Sequence, residues 1–167
     1  MNNRIVPIAA SVLALFAAPA PAAKPEPAKG AGAPPKVHMI WMGGNDCPPC
    51  KAWRMTELPK LQKSKEFTAI QFSYVEKLIG STVPPRLFMP SEVKPYTDKL
   101  DAAANGAVGS PQAAIMVNGE LYDYFHNTRN AEQIERMLVS IRTGSPYPFK
   151  RCLKFESRSR SKCAVTG

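Results

Sequence analysis

Between Val37 and Met42 the chain is apolar at every position except His38, and this run leads through Gly43-Gly44-Asn45-Asp46 straight into Cys47-Pro48-Pro49-Cys50. A short, uninterrupted apolar segment suits a strand buried on both faces of a sheet. The glycine- and Asx-rich stretch after it marks a loop. From Pro48 to Lys63, Ala52, Met55, Leu58 and Leu61 recur at helical spacing. Prolines are tolerated at a helix start because the first N–H groups have no intrahelical partner. Pro59 is expected to kink this helix.

The remaining pattern supplies the rest of a sheet. Phe67 to Val75 alternates and is rich in aromatic and β-branched residues, which predicts a second strand. Residues 77–90, with Pro84-Pro85, read as an irregular connection, and Ser91 to Asn105 as a helix capped by Ser91 and ending near Gly106. After Gly109-Ser110-Pro111 comes an apolar strand, Ala113 to Val117. Asn118-Gly119 is a strong hairpin signal, and Leu121 to Phe125 is its partner strand. Asn130 to Arg142 closes the pattern as a helix with Ile134, Met137, Leu138 and Ile141 on one face. A parallel pair followed by a terminal hairpin implies an α/β domain, with a central mixed sheet and helices on both faces.

Outside this region the composition changes. Met1-Asn2-Asn3-Arg4 is followed by a charge-free apolar stretch from Ile5 to Ala18 and then by small residues, the order of a secretory signal peptide with cleavage expected after Ala22. The alternative, a retained anchor, is opposed by the length of the run, which falls short of the ~20 residues a spanning helix needs. Residues 23–36 are Pro, Ala, Gly and Lys with one Glu, a flexible linker that cannot bury enough apolar surface to order itself. The expected organisation is therefore a signal peptide (1–22), a linker (23–36), one domain (37–143) and a basic tail (144–167). The net charge of +9 makes an acidic partner or an anionic membrane surface more natural for an exported chain than nucleic acid. Many of the cations sit between Lys150 and Lys162, where they also read as a solvated charge run.

Export places the four cysteines where disulfides persist. Two cysteines separated by two residues at a helix start form a redox arrangement. The helix N-terminus favours negative charge and so lowers the pKa of a Cys47 thiol below the ~8.5 of a free cysteine. Cys47, before the helix proper, is expected to be the exposed attacking sulfur and Cys50 the resolving one. The pair is also compatible with an inert staple or a zinc site. Zinc asks for four ligands, and Cys152, Cys163, His38 and His126 are poorly placed to complete the set.

With these residues in view, the stretch from Val37 to Arg142 resembles the thioredoxin superfamily. Cys47-Pro48-Pro49-Cys50-Lys51 is similar to that family's active-site turn, and Pro59 to the kink of its first active-site helix. Gly109-Ser110-Pro111 followed by an apolar strand and Asn118-Gly119-Glu120 is similar to its cis-proline loop and hairpin. The resemblance implies a periplasmic thiol–disulfide oxidoreductase without a cofactor or metal, whose catalytic residues are Cys47, Cys50 and Pro111. It further implies that Ser110-Pro111 is cis, exposing the Ser110 backbone for strand-like pairing with a substrate peptide beside Pro48 and Pro49. Its partners would be exported protein thiols or disulfides and a redox partner of unknown identity.

Departures from the family pattern are informative. Asp46 stands where a tryptophan is common and should oppose a Cys47 thiolate by like-charge repulsion. The first strand offers no acidic residue to accept the proton of Cys50. Lys77 to Pro90 is long for the fold. Cys152 and Cys163 are expected to pair as a structural staple, with a second redox relay as the alternative. Two other function classes stay open from sequence: a thioredoxin-fold binding or assembly module with an inert disulfide, and a metal carrier using Cys47 and Cys50.

Overall fold

The computed structural model describes residues 33–126 and 128–155. The expected signal peptide, the linker up to residue 32 and Cys163 with the rest of the tail from residue 156 lie outside the described residues.

Strand β1 (Val37–Gly43) is the centre of the molecule. It pairs in parallel with β2 (Gln71–Glu76) and antiparallel with β3 (Gln112–Val117), which turns into β4 (Glu120–His126) to give the order β2-β1-β3-β4. Because side chains alternate across a strand, an all-apolar β1 feeds two cores at once. Met39 and Trp41 enter a cluster with Trp53, Leu61, Phe67, Ile134 and Met137. Ile40 and Met42 enter the opposite one with Leu100, Ala103 and Ala104. The first cluster is roofed by α1 (Pro48–Thr56), α2 (Leu58–Leu61), α3 (Lys65–Thr68) and α5 (Ala131–Thr143), and the second by α4 (Thr97–Ala104). This mixed sheet with helices on both faces is the α/β, thioredoxin-like arrangement.

Local chemistry explains the boundaries. Asn118 and Gly119 both take positive φ, 53° and 86°, as a tight hairpin of this kind requires. Asn130 caps α5 through a reciprocal box with Gln133, and Gly144 ends it at φ 69°.

Three elements differ from the pattern reading. The helix expected over 48–63 breaks at Glu57, because Pro59 has no N–H to continue the ladder. The second strand begins at Gln71 rather than Phe67. Ser64 accepts the Phe67 amide and starts the single helical turn α3, whose Phe67 is buried against the helical layer. The helix expected from Ser91 begins only at Thr97, since Pro95 restrains Lys94 and removes a donor, leaving a 3₁₀ turn over Lys94–Tyr96. Ser91 is consequently no cap, and its hydroxyl donates to Glu92.

After α5 the chain keeps Lys150 and Lys154 exposed, yet over its described residues it packs back onto the fold. It returns along the outer edge of β4, where the Tyr124 amide donates to the Cys152 carbonyl at 2.8 Å and the Phe155 amide to Ala103 at 2.9 Å. Cys152 and Phe155 are buried.

Candidate functional site

Cys47 is the N-cap of α1, and Pro48 and Pro49 occupy its first two positions. Neither proline has an N–H, so the first amide the helix can offer is that of Cys50. It points at Cys47 Sγ, 3.2 Å away, while the Lys51 amide donates to the Cys47 carbonyl at 3.1 Å. The two cysteines are joined in a disulfide with Cα atoms 5.2 Å apart. A sulfur at this point faces the positive end of the helix but only one backbone donor.

Both cysteines are fully buried, at 0% exposure, which corrects the expectation that Cys47 is exposed. Helical position alone suggested an accessible N-cap. The tertiary structure instead draws Cys47 into the cluster of Trp41, Trp53, Ala113 and Phe125. Trp41 and Trp53 stack at 4.7 Å, and the Trp53 indole donates to the Arg129 carbonyl at 2.7 Å. Both tryptophans are thus packing residues. The close approach is permitted by Gly43, whose Cβ, if present, would lie 2.7 Å from Cys50 Sγ.

Two further loops frame the disulfide. The Ser110–Pro111 bond is cis. The β1–β3 register ends at Met42 opposite Gln112, so one step further along the ladder Gly43 faces Pro111. This brings the proline loop to the sheet end where Gly43 meets Cys50. Pro111 is buried, and the Ser110 hydroxyl is enclosed without a hydrogen-bond partner. On the other side, the segment leaving β2 is laced to the cysteine loop. The Lys77 amide donates to the Gly43 carbonyl at 3.3 Å, and the Ile79 amide to Asp46 Oδ2 at 2.9 Å.

The ammonium of Lys77 is buried. It donates to the Ser81 carbonyl at 2.7 Å and to the Gly109 carbonyl at 2.6 Å. Burial lowers its pKa from 10.5 to about 8, against the opposing pull of Asp46. The Tyr74 hydroxyl donates to the Gly43 carbonyl, and burial raises its pKa. The Arg54 guanidinium bonds Asn45 and lies 5.1 Å over the Tyr74 ring.

The structure therefore brings Cys47, Cys50, Pro48, Pro49, Ser110 and Pro111 to one end of the sheet. Cys152 lies instead on the outer edge of β4; it is disulfide-bonded, and its expected partner Cys163 is outside the described residues. Among the described residues no group of three or more His, Cys, Asp or Glu converges as metal ligands. Lys77 and Tyr74 are not marked as site residues by any pattern in the sequence. A lysine at the end of an amphipathic strand carries no signal of burial, although Gly43-Gly44 does hint at close approach: a Cβ on Gly44 would collide with the Lys77 carbonyl.

Chemically, such a pair can accept a thiolate at one sulfur and release the other. No family model and no curated protein matches the sequence. Among solved structures the chain is similar to a DsbH oxidoreductase at 16% identity and a TM-score of 0.40, over 64% of this chain and 73% of that one.

Proposed function

We propose that this chain exchanges disulfides with exported protein substrates through Cys47 and Cys50. The observation that carries this reading is the disulfide at the N-terminus of α1, with the Cys50 amide aimed at Cys47 Sγ. A substrate thiolate attacks Cys47 Sγ, a bond forms between those sulfurs, the Cys47–Cys50 bond breaks, and Cys50 leaves as a thiolate. The substrate's second thiolate then attacks its own sulfur in the mixed disulfide and expels Cys47. The substrate dithiol has become a disulfide and the pair a dithiol; the reverse sequence reduces a substrate instead.

Cys47 is the exchanging sulfur in this scheme because the helix end and the Cys50 amide favour its thiolate. Cys50 resolves. Pro111 and Ser110 are assigned to seating the substrate peptide, with the Ser110 backbone as the pairing group, and their place at the sheet end where Gly43 meets Cys50 supports that role. The signal-like residues 1–22 support a periplasmic location, where an unidentified redox partner would restore the pair.

The zero exposure of both sulfurs favours one alternative, an inert staple in a binding module. Trapping separates the two readings. In the exchange reading, Cys50→Ser incubated with an oxidised cysteine peptide accumulates a reductant-sensitive adduct on Cys47, Cys47→Ser accumulates none, and a mild dithiol reduces the wild-type pair without unfolding. Resistance of the folded protein to the dithiol and absence of any adduct would establish the staple.

A further inference from the structure

Seven large apolar side chains are exposed among the described residues, and four of them, Leu78, Ile79, Leu87 and Phe88, fall in the connection between β2 and α4. Single exposed apolar residues are normal on any surface, but adjacent pairs held outward mark a contact site. The second pair is the sharper case. Leu87 and Phe88 are 79% and 72% exposed in the 3₁₀ turn Arg86–Phe88, which the Phe88 amide closes on the Pro85 carbonyl at 2.9 Å and the Met89 amide on the Arg86 carbonyl at 3.2 Å. On either side of it Val83 and Met89 are buried in the same core as Leu100 and Ala103 of α4. The turn is therefore a projection with buried roots, a segment that supplies core residues and yet turns its Leu-Phe pair to solvent.

The charges around the turn narrow the choice of partner. From Lys77 to Ser91 the chain has no Asp or Glu. Arg86 heads the turn, exposed and without an ion pair among the described residues. The acids that bracket the segment are engaged with the protein itself, Glu76 accepting from Asn45 and Glu92 from Ser73 and Ser91. A cation beside two projecting apolar side chains suits the boundary of an anionic bilayer, where the apolar chains enter the acyl region and the guanidinium stays among the phosphates. The net charge of +9 draws the whole chain toward such a surface.

We propose that the turn Arg86–Phe88 docks the protein on an anionic membrane surface, with Leu87 and Phe88 as the inserted side chains and Arg86 as the phosphate contact. The disulfide site is carried along, because the same connection leaves β2 beside the cysteine loop, where the Ile79 amide donates to Asp46 Oδ2. Under the exchange reading, docking presents Cys47 and Cys50 to thiols held at the membrane, but the docking itself requires no exchange.

Cosedimentation of the exported protein with vesicles of phosphatidylglycerol and phosphatidylcholine in equal parts tests this, with pure phosphatidylcholine vesicles as the neutral comparison. Binding should be stronger to the anionic vesicles and should fall as salt is added. Leu87→Ser with Phe88→Ser should weaken it at least ten-fold, and Arg86→Gln roughly five-fold, with the thermal midpoint unchanged because all three side chains are exposed. A second measurement locates the contact. Trp41 and Trp53 are buried, so the indole of Phe88→Trp reports the turn, and its emission should shift to the blue on the anionic vesicles. Absence of binding, or equal binding to neutral vesicles, would overturn the proposal. Binding that survives the double serine variant without a shift of the indole would overturn it as well, since the basic tail would then be the contact. If vesicles do not bind but the serine variant loses exchange with a soluble oxidised peptide, the turn docks a protein and the membrane assignment is wrong. Failure of Cys50→Ser to trap substrate bears only on the exchange reading.

Discussion

At the residue scale the site is organised by what is small and what is buried. Gly43 ends β1 where a side chain would run into Cys50 Sγ and the Trp41 ring. Neither obstacle is the free end of a flexible chain, since the sulfur is tied by its disulfide and the indole is stacked on Trp53 and Tyr74. Gly43→Ala should therefore cost about 1–3 kcal/mol, the range of overpacked cores, and should lower the thermal midpoint in a scan of the oxidised protein. A midpoint equal to that of the wild type would show that the indole yields. Gly43 was readable as part of a loop signal, but its contact with sulfur was not, because that contact depends on where a helix five residues away settles over the strand.

Among the elements, α1 shows how two prolines shape a charge site. An N-cap side chain accepts from the second or third helical amide, and here only the third exists. Pro49→Ala restores the second amide and offers Cys47 Sγ another donor. A hydrogen bond to a charged group contributes about 1.5–3 kcal/mol, so the Cys47 thiol pKa should fall by roughly a unit or more and the glutathione equilibrium should move at least ten-fold toward the dithiol. The same substitution should lower global stability by about 0.4–1 kcal/mol by loosening the unfolded chain. Thiolate absorbance and a redox titration check the first effect, and chemical denaturation the second. The helix start and its prolines were legible from spacing and composition. The breaks at Glu57 and before Thr97 were legible only in part, because proline marks where a helix is interrupted without saying which neighbouring packing takes over.

On the scale of the whole molecule, Asp123 closes the structure. Fully buried on β4, it accepts the Cys152 amide at 2.8 Å, the Tyr147 hydroxyl at 2.9 Å and the Arg129 guanidinium at 3.1 Å, so it anchors the returning C-terminal segment and the loop before α5 together. Arg129 is itself sandwiched, 3.9 Å from the Phe125 ring and 4.3 Å from that of Phe149. Asp123→Ala leaves these donors without their acceptor, and breaking a buried pair in this way costs about 3–5 kcal/mol. Hydrogen exchange should show the Cys152 and Phe155 amides losing protection before β1 does, and Asp123→Asn should retain part of it. Uniform loss across the sheet would mean that the segment is not a separable layer. Cys152→Ser should likewise loosen this layer while leaving Cys47–Cys50 exchange largely intact; loss of exchange comparable to Cys47→Ser in a folded protein would favour a relay.

Some features of this protein follow from covalent order and short-range sterics, and these were present in the sequence itself. The double-faced apolar strand, the N-cap cysteine before two prolines, the Asn118-Gly119 hairpin and the Asn130 capping box each depend on residues within a few positions of one another. Other features depend on residues far apart in the chain, and only the tertiary structure decided them: the burial of Cys47, the approach of Gly43 to Cys50, the 32-residue span from Lys77 to the Gly109 carbonyl and the closure of β4 by Cys152. Local patterns state which groups seek burial or a partner, but a buried charge or sulfur is positioned by whichever distant backbone reaches it, and that is set by how the two cores close over the sheet.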